Sequence, residues 1–414
     1  MSFMRRSKIL AATGINTYKT ARPTPLGGRA RLDAFGMIFN RISNIDLEVP
    51  ANNAVPDAPV SYPFLWGTSV ENQVEWDGSI PNTNVFDRLG RNVGEVLGVF
   101  GKADLRKPNG LDYPNTARMF NLLMLEGYSA NLWAPQWPER ILGPINQTKA
   151  ELGEALYQTN CVSCHIVVPH GPQDTEIVVT MTPVSEIHTD PKMAWNACSR
   201  MVDTAQLEGV KMPPVIGPAL SQKVTTLDLV ANVTIGAVLY PVVELIADLF
   251  KAADLNSGSD EVFNDIKNIA EQLGLDGEKL SDDEMEKLRS VLYAMSRKSS
   301  APSSEPPDCD PENELMAYKG RPLDGIWATA PYLHNGSVAN LYEILLPPEE
   351  RMKEFYVGSQ NFDPLHVGFE TKSGPGTFLL DTSKSGNSNA GHIFGNNEFT
   401  EDQREQLVEY LKTL

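Results

Sequence analysis

The chain has 414 residues, with 53 acidic against 35 basic side chains and a formal net charge of −18. That balance argues against nucleic acid and anionic membrane surfaces as partners, and it permits docking with a basic electron-transfer partner, such as a basic cytochrome. The length suits two or three domains, and an apolar fraction of 41% supports a packed core.

Residues 1–60 are first Arg-rich, then rich in Pro, Ala and Asn, and read as an irregular arm on a larger body. The opening stretch is basic, but its apolar run over residues 9–12 is too short for a signal-peptide core. Residues 61–147 hold Trp66, Trp76, Trp133 and Trp137 among many Gly and Pro. One helix is predicted there, over 113–126, where Ala117, Phe120, Leu123 and Met124 share a face. The rest reads as loops packed by aromatic rings.

A sharper element follows. Thr148 and Glu151 form a T-x-x-E capping box, and Leu152, Ala155, Leu156 and Thr159 lie on one helical face beside Tyr157. The helix runs out near Asn160, directly before Cys161-Val162-Ser163-Cys164-His165. This CxxCH pentapeptide is the attachment sequence of haem c. Two thiols three positions apart can each form a thioether to one porphyrin vinyl group, and His165 then stands under the iron as proximal ligand. Other uses of the cysteines are weighed beside it. A redox CxxC sits on a strand-to-helix turn, and no βαβ pattern surrounds this one. A zinc site could use Cys161, Cys164, Cys198 and Cys309, although the last two are not a CxxC pair. Cys198 and Cys309 could instead pair in an oxidising compartment, which the sequence alone leaves open.

Beyond the Met212-Pro213-Pro214 loop, residues 224–300 read as helical. The apolar run 229–243 is 15 residues long and interrupted by Pro241, so it is predicted as a buried core helix and not a membrane span. Met285, Leu288, Val291 and Leu292 recur at helical spacing over 281–297, and 298–313 is a linker by composition. Residues 224–313 are therefore predicted to be an insertion. The chain closes on a second capped helix, with Thr400 and Gln403 as the box and Leu407, Tyr410, Leu411 and Leu414 as the apolar stripe. The two capped helices are expected to pack across each other.

The sixth iron ligand decides between an electron carrier and an open, reactive haem. His334 lies between Pro331 and the Asn335-Gly336 turn, which gives its side chain a defined direction, and it is the predicted ligand. Met352, in a charged segment, and Met212, before two prolines, are weaker candidates. His170 follows the haem motif too closely to reach the other face, and His366 and His392 read as loop residues. Arg321 and Arg200 suit haem propionates, or the surface.

The stretch 318–346, YKGRPLDGIWATAPYLHNGSVANLYEILL, resembles the C-terminal haem domain of dihaem cytochrome c peroxidase-like proteins, especially the branch with the rubber oxygenases. The blocks QVEWDGS at 73–79, GRNVGEV at 90–96 and GNSNAGH at 386–392 agree. The resemblance implies two c-type haems, one a relay with two axial ligands and one open to peroxide or oxygen. It assigns Cys161, Cys164 and His165 to the C-terminal haem, and His334 to its distal side. In peroxidase relatives a later Met takes that place, which makes Met352 the runner-up. Trp76, with Trp66 second, would match the family's Trp beside the haems. This chain carries one CxxCH where the family has two, so the second motif and the export signal are expected upstream of residue 1.

The expected fold is mainly α: a cytochrome c-like domain over 148–414 with the 224–313 insertion, after an irregular region over 1–147. The expected function is electron transfer by one covalent haem c with bis-His ligation, in the periplasm or outside the cell, within a dihaem protein. The alternatives are an enzyme reducing peroxide or activating oxygen at this haem, and a structural zinc protein.

Overall fold

The computed structural model describes residues 23–106, 113–171, 175–210, 219–239 and 307–414. Most of the predicted insertion, including the helix over 281–297, lies outside these residues, as does Met212. The helices are α1 (Ala34–Asn40), α2 (Val85–Val99), α3 (Met119–Ala130), α4 (Glu139–Leu142), α5 (Gln147–Asn160), α6 (Val184–Ile187), α7 (Lys192–Ser199), α8 (Thr226–Leu239), α9 (Leu341–Ile344) and α10 (Glu401–Leu411).

Among the described residues the strands form six two-stranded sheets. β1 (Arg31–Leu32) pairs with β2 (Val60–Ser61), and β3 (Gln73–Val74) with β4 (Ile80–Pro81). β5 (Thr180–Pro183) pairs antiparallel with β8 (Ala317–Gly320), setting Thr180 opposite Gly320. The remaining ribbons are β6 (Met201–Asp203) with β7 (Lys223–Thr225), β9 (Glu354–Val357) with β12 (Phe378–Asp381), and β10 (Phe362–Asp363) with β11 (Gly368–Phe369).

The mainly α expectation is thereby corrected. Helix takes 35% and strand 14% of the described chain, a mixed content. Short ribbons tie distant loops together where helical periodicity is missing. Among the described residues no helix is long and apolar enough to cross a membrane.

Local sequence accounts for the element ends. Thr400 and Gln403 make the predicted capping box on α10, each side chain bonding the other's backbone N–H. At α5 the predicted box is displaced. Asn146 is the cap, its side chain accepting from the Lys149 N–H, because Asn is a stronger cap than Thr. The helix predicted over 113–126 starts only at Met119. Asn115 bonds the Tyr113 and Ala237 carbonyls and the Ala117 N–H, holding 113–117 extended. α2 forms where a loop is expected, because Gly90, Gly94 and Gly98 weaken its helical signal. At Gly98 a Cβ would meet the Ile38 side chain at 2.4 Å, so the missing side chain lets the 34–46 helical segment lie close.

Apolar residues gather in two main cores. The first joins Ile42, Leu89, Val93, Leu97 and Tyr113 to Val202, Leu229 and Val233. α8 is thus a buried core helix as expected, and it packs with the N-terminal helices. The second core holds Tyr157, Tyr332, Leu341, Leu407 and Leu411. There α5 and α10 cross as predicted, with the Tyr157 and Tyr410 rings 5.1 Å apart and Lys149 bridging Asp402 and Glu405. A smaller cluster, with Phe35, Met193 and Met316, surrounds a disulfide between Cys198 and Cys309. That bond takes two of the four sulfurs a zinc site would need.

Candidate cofactor cleft

One cleft, with about 1490 Å³ of empty space counted to its open mouth, lies between the α5–α10 crossing and the β5–β8 ribbon. Trp76, Cys161, Cys164, His165, Arg321 and His334, all singled out in the sequence, line it together. Most of the remaining wall is apolar, including Leu323, Ile326, Leu341, Ile344 and Leu407.

The haem motif is held from two sides. Cys161 caps α5, its N–H bonding the Tyr157 carbonyl, and the next turn returns the His165 N–H to the Cys161 carbonyl. Both motif cysteines are free thiols, and burial pushes the Cys161 thiol up to about 12. The Tyr157 hydroxyl donates to the His165 carbonyl at 2.5 Å. Across the cleft, Gly320 lies so near the motif that a Cβ there would stand 2.6 Å from the Cys164 carbonyl oxygen. His165 Nδ1 lies 2.6 Å from the Arg321 carbonyl oxygen, which assigns that nitrogen the proton and leaves Nε2 as the basic one. Burial lowers the His165 pKa, with this carbonyl opposing, so the ring is favoured in the neutral form that ligation requires.

His392 faces His165, with ring centroids 6.2 Å apart. The loop that carries it is heavily tied down. The Asp190 carboxylate accepts from the Gly386 and Ser388 N–H groups, and Arg351 donates to the Asn389 and Gly391 carbonyls. The His392 N–H bonds the Ile187 carbonyl, and the residue takes a left-handed φ of 54°. Its Nδ1 is buried without a hydrogen-bond partner. Burial, with smaller contributions from His165 and Arg351, pushes its pKa down to about 3.

His334 also reaches the cleft, but its ring stacks on Tyr318 with centroids 4.0 Å apart. Burial, then the Arg31 charge, pushes its pKa down to about 3. The Tyr318 hydroxyl donates to the Asp190 carbonyl, fixing the stacked pair. Trp76 is fixed by its indole N–H, which donates to the Ser61 carbonyl at 2.9 Å. Trp66 stacks on Phe64 and donates to the Asp324 carbonyl.

Arg321 departs from its expected use. Its guanidinium bonds Glu71 at 2.7 Å and the Phe64 and Trp66 carbonyls, and it lies over the Phe64 ring. These bonds occupy the donors a propionate would need. Its carbonyl, bonded to His165, is the group that serves the cleft. Arg200 bonds Asn40 and Asn52 and is not among the cleft residues. Met352 packs beside Phe355 and Leu380, also away from the cleft. His170 bonds the Thr413 carbonyl and His366 bonds Asp363.

The residues fit a haem. A metal–imidazole bond is about 2 Å and a ring centroid sits about 1 Å behind its nitrogen, so two rings on opposite sides of one metal stand roughly 6 Å apart. The 6.2 Å between His165 and His392 matches that span. A bare-metal site is less well supported, since among the described residues no three His, Cys, Asp or Glu side chains group to hold an ion.

Comparison with known proteins agrees with the cytochrome reading. Residues 317–356 match a family described as RoxA-like, cytochrome c-like. The chain is similar to the uncharacterized protein y4iJ of Sinorhizobium fredii, at 29% identity over 445 aligned residues. That match covers 96% of this chain and 61% of the relative, so the chain spans about three-fifths of its length. A second relative, the uncharacterized protein y4iM of the same organism, is 31% identical over 120 residues, covering 24% of this chain and 28% of its own. The match supports a c-type cytochrome-related function with haem c, and it fits an extracytoplasmic location.

Proposed function

We propose that this chain is a c-type cytochrome that carries one covalent haem, attached at Cys161 and Cys164, and transfers electrons within a larger, dihaem peroxidase-like or oxygenase-like protein. His165 and His392 would hold its iron. His392 replaces His334 in that role, and the observation that carries the choice is the 6.2 Å spacing of the His165 and His392 rings, both on the cleft wall.

Bound haem c would supply a one-electron couple, tuned by its two axial ligands and its surroundings. The chain's residues set those conditions. The Arg321 carbonyl orients His165 and raises its basicity. The apolar wall would limit the water that reaches a bound haem. Trp76, clamped to Ser61, gives electrons an aromatic route along one side. The stacked His334 and Tyr318 form the wall next to it. The charge of −18 suits a basic cytochrome as partner, and the Cys198–Cys309 bond suits the periplasm.

The test is the visible spectrum, oxidised and reduced, of protein made with haem c maturation and export. Wild type should carry covalent haem with a low-spin, six-coordinate spectrum. His392→Ala should turn it high-spin, and His334→Ala should leave it low-spin. The reverse pattern would return ligation to His334. A high-spin wild type would make this haem an open site for peroxide or oxygen. Covalent haem that survives Cys161→Ala with Cys164→Ala would sink the attachment claim.

A further inference from the structure

Glu71 is remote in sequence from the haem motif, yet only 1% of its surface is exposed. One carboxylate oxygen accepts from Lys319 Nζ and the other from Arg321 Nε, both at 2.7 Å. Its own backbone is pinned, with the carbonyl accepting from Asn82 and the N–H bonding the Gly67 carbonyl. Residues 319–321 are the segment that grips the haem motif. Gly320 abuts the Cys164 carbonyl, and the Arg321 carbonyl accepts the hydrogen bond from His165 Nδ1. One buried carboxylate therefore holds the residues on both sides of Gly320, through charge-assisted bonds.

We propose that Glu71 is a positioning residue for the haem: it fixes the Arg321 carbonyl against His165 and offsets two buried cations beside the cleft, and so sets the reduction potential. This rests on the bis-His reading above. Two effects act in the same direction. A loosened carbonyl makes the imidazole less basic and stabilises the oxidised iron less. Loss of the carboxylate leaves Lys319 and Arg321 facing each other unbalanced, and positive charge near the iron favours the reduced state. Burial already lowers the Lys319 pKa, with Glu71 opposing.

The measurement is the midpoint potential and the low-temperature EPR g values of the full haem-loaded chain. Glu71→Gln keeps shape and removes charge, while Glu71→Ala removes both. Both should raise the potential, with Glu71→Ala giving about a tenfold change in the reduction equilibrium, ~59 mV for one electron, and altered g values. Glu126→Gln breaks another buried ion pair, to Arg91 in the N-terminal region, and should leave potential and g values unchanged. Wild-type values in both Glu71 variants would overturn the inference, as would an equal shift in Glu126→Gln. A high-spin or haem-free wild type would instead overturn the bis-His reading, so the two failures are distinguishable.

Discussion

Gly153 of α5 meets Gln406 of α10 backbone to backbone: a Cβ on Gly153 would stand 2.0 Å from the Gln406 carbonyl oxygen. This crossing carries the second core and sets the helix that delivers Cys161. A methyl group there must part the helices, at about 1–3 kcal/mol for overpacking, whereas Ala for Gly returns only about 1 kcal/mol of helix propensity. Gly153→Ala should therefore lower the thermal midpoint, and Gly153→Val should lower it further. An unchanged midpoint in both would mean the helices part at little cost.

The Cys198–Cys309 bond spans 111 residues and ties α7 to the segment entering β8. Long closed loops gain most from cross-linking, and loss of such a bond costs about 2–5 kcal/mol. Cys198→Ala with Cys309→Ala should lower the denaturation midpoint accordingly. The haem spectrum should be retained, because neither sulfur lines the cleft. Thiol titration of unfolded, unreduced wild type should find neither of these cysteines free.

Asp77 is buried next to Trp76, and one of its carboxylate oxygens has no partner. Burial raises its pKa to about 6, with bonds from Ser79 opposing. A folded pKa above the unfolded value means the folded state holds the extra proton between about pH 4 and pH 6. Wild type therefore loses this stability as pH rises through that window. Asp77→Asn cannot titrate, so its stability relative to wild type should improve from pH 4 to pH 6 by roughly 1–3 kcal/mol, then level off. Denaturant unfolding at pH 4, 5, 6 and 8 checks the sign. A relative stability that falls with rising pH would contradict the assignment.

The cleft was largely legible because local rules carried it. CxxCH needs no tertiary information, and the Thr400 box and the α10 stripe obey helix chemistry that acts within four residues. The N-terminal region resisted for the opposite reason. α2 owes its place to packing against α1 and α8, which its glycines allow but do not advertise. His392 carries no local signal of ligation, because its sequence, GNSNAGH, reads as polar loop. Its direction comes from Asp190 and Arg351, each at least 38 residues away along the chain. The sequence draws attention to the side chain of Arg321, whereas its backbone carbonyl is the group that bonds His165. Glu71 left no local signal, since its partners lie about 250 residues on.

Gly320 offers a test of how the cleft holds the motif before any haem chemistry begins. Its absent side chain lets β8 press against the Cys164 carbonyl, where a Cβ would come within 2.6 Å. Gly320→Ala must push the motif away from β8 or bend the ribbon, a local strain of about 1–3 kcal/mol. Either shift misplaces Cys164 relative to Cys161 and weakens the bond from His165 to the neighbouring Arg321 carbonyl. Covalent haem should then fall clearly below one per chain by pyridine haemochrome and intact mass, while the α5–α10 crossing stays folded. Gly374→Ala is the matched control, since its Cβ would meet only a Thr377 methyl group at 3.9 Å, and it should load fully. Full loading of Gly320→Ala, with an unchanged spectrum, would mean that β8 yields to the motif and does not shape it.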